Sequence, residues 1–99
     1  MPNYVFAYRT PEARTTSQPD PEAVTPWMEF RDALGEKVVD FGNPVFTASS
    51  LGNCGAGTHL CGYSFVTADD LESAVALAKA APVVGAGGGV EVGEITELM

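Results

Sequence analysis

The segment LCGYSFVTADDLESAVALAKAAP, residues 60–82, contains the clearest secondary structure in this 99-residue chain. Its first part, Leu60 to Val66, is rich in aromatic and β-branched residues, which is typical of a strand. The following helix is predicted to begin at Asp69, which pairs with Glu72 in an arrangement that resembles a capping box. Pro82 is expected to end this helix. The apolar positions that follow the helical repeat, and that we expect to be buried, are Leu71, Ala74, Val75 and Ala78.

The segment Tyr4–Tyr8 near the N-terminus reads YVFAY and predicts a first strand. It is apolar at every position, whereas a strand in a sheet with one solvated face alternates between apolar and polar residues. We therefore expect both faces of this strand to be covered. A helix would cover one face, and a partner subunit would cover the other, which predicts a homodimer formed through the sheet.

Thr25 and Pro26 resemble the start of a helix, with Thr25 as the N-cap and Pro26 in the first turn. No helical turn is expected before Pro26, because the proline ring would clash with it. Gly35 is expected just beyond the C-terminus of the helix, where glycine is favoured. The helical spacing of apolar residues predicts one buried face, which comprises Ala23, Trp27, Phe30 and Leu34.

Two further strands complete the predicted elements. The first covers residues 37–41, and the last covers residues 90–98. Ile95 is out of phase with the valines that precede it, so Gly93 and Glu94 are predicted to form a bulge. A proline-rich loop is expected over residues 10–21.

The resulting order, β-α-β-β-α-β, predicts an α+β fold of the ferredoxin-like type. In this arrangement the first and third strands are the central pair of a four-stranded antiparallel sheet, and the helices cover one face. The chain length predicts a single domain over residues 1–99.

The composition excludes some classes of partner. The chain is acidic, with 13 acidic and 5 basic residues and a net charge of −8. The basic residues are scattered, whereas a nucleic-acid-binding protein needs a basic stripe and an anionic membrane attracts positive charge. We therefore expect neither nucleic acid nor membrane as a partner. No signal peptide and no membrane helix is recognised, which predicts a cytoplasmic protein.

Several segments resemble the YCII-related family. The resemblance rests on a "GY" strand, an acid-capped alanine-rich helix and a closing "VEV" strand, which are residues 62–66, 68–74, 78–79, 82 and 87–92, together with residues 3–6 and 42–45. It implies a dimeric α/β barrel built from ferredoxin-like subunits, and it implies no firm function, because most members are uncharacterised.

The chain departs from the family at the positions where chemistry has been suggested. Some members carry a histidine in the first helix, near Trp27 here, and an aspartate where this chain has Ala81. Another branch has an Asp-Gly-Pro-Phe motif, where this chain has Ser50 to Asn53. The resemblance is therefore to a subgroup without the motif and without the His/Asp pair.

Cys54, His59 and Cys61 form the pattern C-x4-H-x-C. We expect no bound zinc, because the spacing matches no standard site and a fourth ligand is missing. A disulfide between Cys54 and Cys61 is an alternative under oxidising conditions, although thiols are the default in the cytosol. His59 is the only histidine and is a weak catalytic candidate as a general base, but no motif supplies an orienting partner. A structural role for His59 is the alternative.

The residues named for a ligand site are Tyr8, Arg9, Trp27, His59 and Tyr63. If a small molecule binds, we expect it between the first helix and the sheet, near the loop over residues 50–60. The aromatic residues of this set could instead simply fill the core, and Arg9 could be an exposed charge. The glycine-rich segment over residues 85–89 predicts a turn, because the lysine and the helix of a phosphate-binding loop are absent. No cofactor is implied.

Three functions remain open from the sequence. The preferred hypothesis is a small-molecule-binding or accessory domain of the dimeric barrel class. The second is a cofactor-free enzyme, such as an isomerase, cyclase or monooxygenase acting on a small organic substrate, which rests on analogy between folds. The third is a dimerisation or regulatory partner that has no ligand.

Overall fold

A computed structural model of the chain describes residues 1–11, 21–46, 49–54 and 57–96, except for the side chains of Pro21 and Ala23. The elements are, in chain order, β1 (Asn3–Thr10), α1 (Pro21–Leu34), β2 (Val38–Asp40), β3 (His59–Thr67), α2 (Leu71–Ala78), α3 (Pro82–Gly85) and β4 (Gly89–Ile95). A short 3-10 turn, Gly35–Lys37, connects α1 to β2. Gly35 has the positive φ of 57° that a glycine at a helix C-terminus adopts, as predicted.

The four strands form one antiparallel sheet in the order β2-β3-β1-β4. The α+β class, the antiparallel sheet and the central pair β1 and β3 are therefore as predicted. The architecture is compatible with a ferredoxin-like fold. None of the helices in the described part of the chain is both long and apolar enough to cross a membrane.

The core lies between the helices and one face of the sheet. Side chains alternate along β1, so that Tyr4, Phe6 and Tyr8 are buried beneath the helices while Val5 and Ala7 are half-buried on the opposite face. Residues from α1, β3 and α2 complete the buried cluster, and they include Phe30, Leu34, Val66, Ala74 and Ala78. We call the opposite face of the sheet the open face, because no described helix packs on it.

The start of α1 differs from the prediction. The helix begins at Pro21 and continues through Pro26. Proline holds φ near the helical value, so at this position it removes one backbone hydrogen bond but does not end the helix. Trp27, Phe30 and Leu34 face the core as expected. Ala23, the remaining member of the predicted face, lies outside the described side chains.

The cap and the buried face of α2 also require correction. Asp70 is the N-cap in place of Asp69, because its carboxylate accepts a hydrogen bond of 2.8 Å from the Ser73 N–H. This hydrogen bond lowers the pKa of Asp70. The buried residues of α2 are Ala74 and Ala78, whereas Leu71 is 52% exposed. The helix is rotated so that small residues approach the sheet.

The end of α2 and the strand β4 differ from the prediction as well. The helix α2 ends at Ala78, and Pro82 begins the short helix α3 instead of only stopping the preceding one. The strand β4 pairs with β1 without interruption from Gly89 to Ile95, so the predicted bulge at Gly93 and Glu94 is wrong. Ile95 is 42% exposed and simply lies on the open face. The register shifts in this sheet lie instead between β1 and β3, beside Tyr8 and Arg9, and between β2 and β3, beside Val38 and Asp40.

Candidate functional site

A cavity of about 210 Å³ lies between α1 and the sheet, as predicted for a ligand site, but its described lining includes no residue of the predicted loop over residues 50–60. One wall comes from α1 through Val24, Trp27 and Met28. The sheet supplies Tyr8 from β1 and residues 61–64 from β3, and the connection after β2 supplies residues 41–44. The cavity is therefore bounded by four separate segments of the chain.

Edge-to-face aromatic contacts shape the inner wall. The rings of Tyr8 and Trp27 are 4.7 Å apart at an angle of 69°. The ring of Trp27 also packs against those of Phe30 and Phe41, at 6.0 and 6.5 Å. Such pairs contribute beyond the area they bury, so they hold the helix, the first strand and the β2–β3 connection in one arrangement.

Gly42 and Gly62 lie where the wall over residues 41–44 approaches β3, and only Gly42 leaves no room for a Cβ. Gly42 has a φ of 79°, and a Cβ there would lie 1.9 Å from the carbonyl oxygen of Tyr63. A Cβ on Gly62 would lie 3.4 Å from both the Asn43 carbonyl oxygen and the Tyr8 ring. Backbone pairing between Pro44 and Gly62, and a 2.9 Å hydrogen bond from the Val45 N–H to the Cys61 carbonyl, complete the attachment to β3.

The polar groups of the cavity form a short hydrogen-bond chain. The Tyr8 hydroxyl donates to the Ser64 Oγ at 2.8 Å, and the Ser64 hydroxyl donates to the backbone carbonyl of Phe41. Ser64 is fully buried, and Tyr8 is only 3% exposed. Burial raises the pKa of Tyr8 to about 12, although the hydrogen bond with Ser64 opposes this shift. The phenol is therefore protonated at neutral pH.

Asn43 and Tyr63 are also among the lining residues, although the side chain of Tyr63 lies on the open face. The Asn43 side-chain amide donates to the Tyr63 hydroxyl over 3.4 Å, in an exposed position. The ring of Tyr63 lies 5.7 Å from that of Phe65, its neighbour on the open face. No lining residue among those that the structure describes is an Asp, Glu, Lys, Arg or His.

Three of the five predicted ligand residues line the cavity, namely Tyr8, Trp27 and Tyr63. Arg9 is absent from the described lining. Its guanidinium instead donates to the Thr58 Oγ1 at 2.8 Å, to the Thr58 carbonyl at 3.2 Å and to the Cys54 carbonyl, and it lies 3.9 Å from the Glu91 carboxylate. Arg9 therefore attaches the segment before β3 to the sheet.

His59 is the first residue of β3, paired with Thr10 across the sheet, and it too is absent from the described lining. No disulfide joins Cys54 and Cys61, of which the first is exposed and the second buried. The Cys54 thiol donates to the Leu51 carbonyl at 2.9 Å. Within the described residues, no group of three His, Cys, Asp or Glu side chains is placed to hold a metal ion.

Ser64, a buried residue of the cavity, was not singled out from the sequence, and Cys61 was considered there only as a metal ligand or disulfide partner. A signal for Ser64 was present, because it lies two residues before Val66 and so shares the buried face of β3. A hydroxyl on that face must find a hydrogen-bond partner. No local pattern marks Cys61, because its position depends on the register shift between β1 and β3.

No family model matches the chain, and the comparison with curated proteins gave no match.

Proposed function

We propose that this protein is a binding domain for a small, neutral, largely apolar molecule that occupies the cavity between α1 and the sheet. The observation that carries the proposal is an aromatic cavity whose described lining holds no charged side chain. Pockets of this kind bind through apolar contact and use a few polar groups for orientation.

The volume limits the size of the ligand. A cavity of about 150 Å³ with an apolar lining can hold benzene. A cavity of about 210 Å³ suits one aromatic ring with a small substituent.

The lining favours binding over acid–base catalysis. A general acid or base works best when its pKa lies near the working pH. Tyr8, whose pKa is raised to about 12, is far from neutral pH. The cofactor-free enzyme therefore has less support than the binding domain. Relationship to the YCII-related family and residence in the cytoplasm stay predictions from the sequence.

We expect phenol to bind the full chain with a Kd on the order of 1 mM, which is typical for a ligand of this size. Titration followed by ¹H–¹⁵N NMR should shift the indole N–H signal of Trp27 and the amide signals of residues 61–64. Benzoate, which has a similar shape, should bind much more weakly, because the cavity would have to accept an unpaired charge.

A pair of variants on α1 locates the binding. Val24 lines the cavity from an exposed position, so V24W should weaken phenol binding by roughly fivefold or more, about 1 kcal/mol. E29W introduces the same large side chain on the same helix, at an exposed position outside the described lining. It should leave the affinity for phenol unchanged. Equal binding of phenol and benzoate, or equal loss in both variants, would contradict the proposed site.

We also propose that the protein forms a homodimer through the open face of the sheet. Val5, Ala7 and Phe65 are only half-buried there, and Val39 is 57% exposed. A second copy would remove this apolar surface from water. We expect light scattering at micromolar concentration to give twice the chain mass of 10.3 kDa.

The dimer has its own pair of variants. F65D places a charge on the open face and should give monomers. V84D places the same charge on α3, at a residue that is 43% exposed, and should leave the dimer intact. A parent protein that is monomeric at this concentration would count against the dimer.

A further inference from the structure

The direction of the buried hydrogen bonds in the cavity can be assigned from chemistry alone. The Phe41 carbonyl has no proton, so the Ser64 hydroxyl must donate to it. Ser64 therefore accepts from the Tyr8 hydroxyl, 2.8 Å away. A hydroxyl carries one proton, so the protons of Tyr8 and Ser64 are both already used in these two hydrogen bonds.

The oxygen atoms of both hydroxyls can still accept a hydrogen bond. A hydroxyl oxygen keeps lone pairs after it has donated its proton. Tyr8 lines the cavity, and its raised pKa of about 12 keeps its proton in place throughout the neutral range. The donor and acceptor roles of Tyr8 and Ser64 therefore do not change over the neutral pH range.

We propose that the cavity selects neutral aromatic molecules that carry an O–H or N–H group, which donates to the Tyr8 hydroxyl oxygen. This inference rests on the proposed binding function and adds to it the chemical class of the ligand. The Asn43 amide of the lining can donate, but it lies in an exposed position. At the buried Tyr8 hydroxyl, a ligand oxygen that can only accept, such as that of an aldehyde or ether, would face a second acceptor and would be left unpaired. Such an unpaired polar atom is costly in a site shielded from water.

The test compares three neutral probes of similar size, namely phenol, anisole and benzaldehyde, titrated into the full chain at neutral pH by ¹H–¹⁵N NMR. Phenol offers a donor, whereas the other two offer only acceptors. We expect phenol to bind at least about fivefold more tightly than benzaldehyde or anisole, which is the typical effect of one buried hydrogen bond.

Three variants assign the preference to Tyr8. Y8F removes the acceptor and should reduce the preference for phenol. S64A removes the acceptor of the Tyr8 proton, so that Tyr8 can donate to the ligand, and benzaldehyde should gain relative to phenol. Y4F is the matched control, because Tyr4 lies on the same face of β1, its hydroxyl donates to the Glu94 carboxylate at 3.3 Å, and it is not part of the described lining.

The outcomes separate the two proposals. Binding of all three probes with equal affinity, or with benzaldehyde preferred, overturns the donor selection and leaves the binding function standing. An unchanged preference for phenol in Y8F also overturns it. If Y8F does not fold, S64A is the deciding variant, and an unchanged preference for phenol in S64A also overturns the donor selection. If none of the probes binds, the binding function fails and the inference fails with it.

Discussion

The substitution G42A is expected to destabilise the protein by about 3 kcal/mol or more, a large part of the 5–15 kcal/mol typical of a domain. Gly42 has a φ of 79°, which costs an alanine about 1–2 kcal/mol on its own. A Cβ would also lie 1.9 Å from the Tyr63 carbonyl oxygen, a separation that real structures do not allow. Because both atoms belong to the backbone or are fixed to it, the β2–β3 connection would have to move away from β3.

The comparison with G52A separates backbone strain from steric overlap. Gly52 has a similar φ of 69°, but nothing lies within 4 Å of the position of its Cβ. G52A should therefore cost only about 1–2 kcal/mol. Urea denaturation followed by the fluorescence of Trp27, the single tryptophan, measures both variants. Equal losses would show that the close approach of Gly42 to Tyr63 has no energetic importance.

The substitution L34A is expected to lower the free energy of unfolding by about 2–5 kcal/mol, the range for a leucine removed from a packed core. Leu34 is the last residue of α1 and is 3% exposed, in the same buried cluster as Phe30 and Tyr8. Its removal leaves a cavity that the surrounding rings can fill only in part. The midpoint of urea denaturation should fall without a change in slope.

Leu71 provides the matched leucine, since it is also in a helix but is 52% exposed. L71A should change the free energy of unfolding by less than about 1 kcal/mol. This variant tests the corrected orientation of α2, because the helical repeat alone predicts Leu71 in the core. A loss as large as that of L34A would mean that the predicted face is correct after all.

The predictable part of the fold is local in origin. Strand β1 is recognisable from YVFAY, because aromatic and β-branched residues fit a pleated surface. The core-facing residues Trp27, Phe30 and Leu34 follow from helical periodicity. One of the errors concerns a position where neighbouring candidates compete, namely Asp69 and Asp70 at the start of α2. There the packing of the helix on the sheet selects one of two nearly equivalent caps.

The candidate site was predictable only in outline. Element order places the first helix over the central strands, and so Tyr8 and Trp27 could be expected to meet. The position of Arg9 could not be predicted, because its hydrogen bonds run to Thr58 and Cys54, far along the chain. The sequence spacing contains no information on such a contact.

The sequence by itself determined the α+β class, the four strands and the two longer helices in outline, and the apolar character of both faces of β1, because these depend on residues that are near one another in the chain. Only the tertiary structure decided that Phe41 approaches Ser64 and that the Tyr8 proton is directed to Ser64. These contacts join residues that are separated by 23 and 56 positions. They form only when β3 lies between β1 and the connection after β2. The hydrogen-bonding character of the cavity therefore depends on the packing of these three segments.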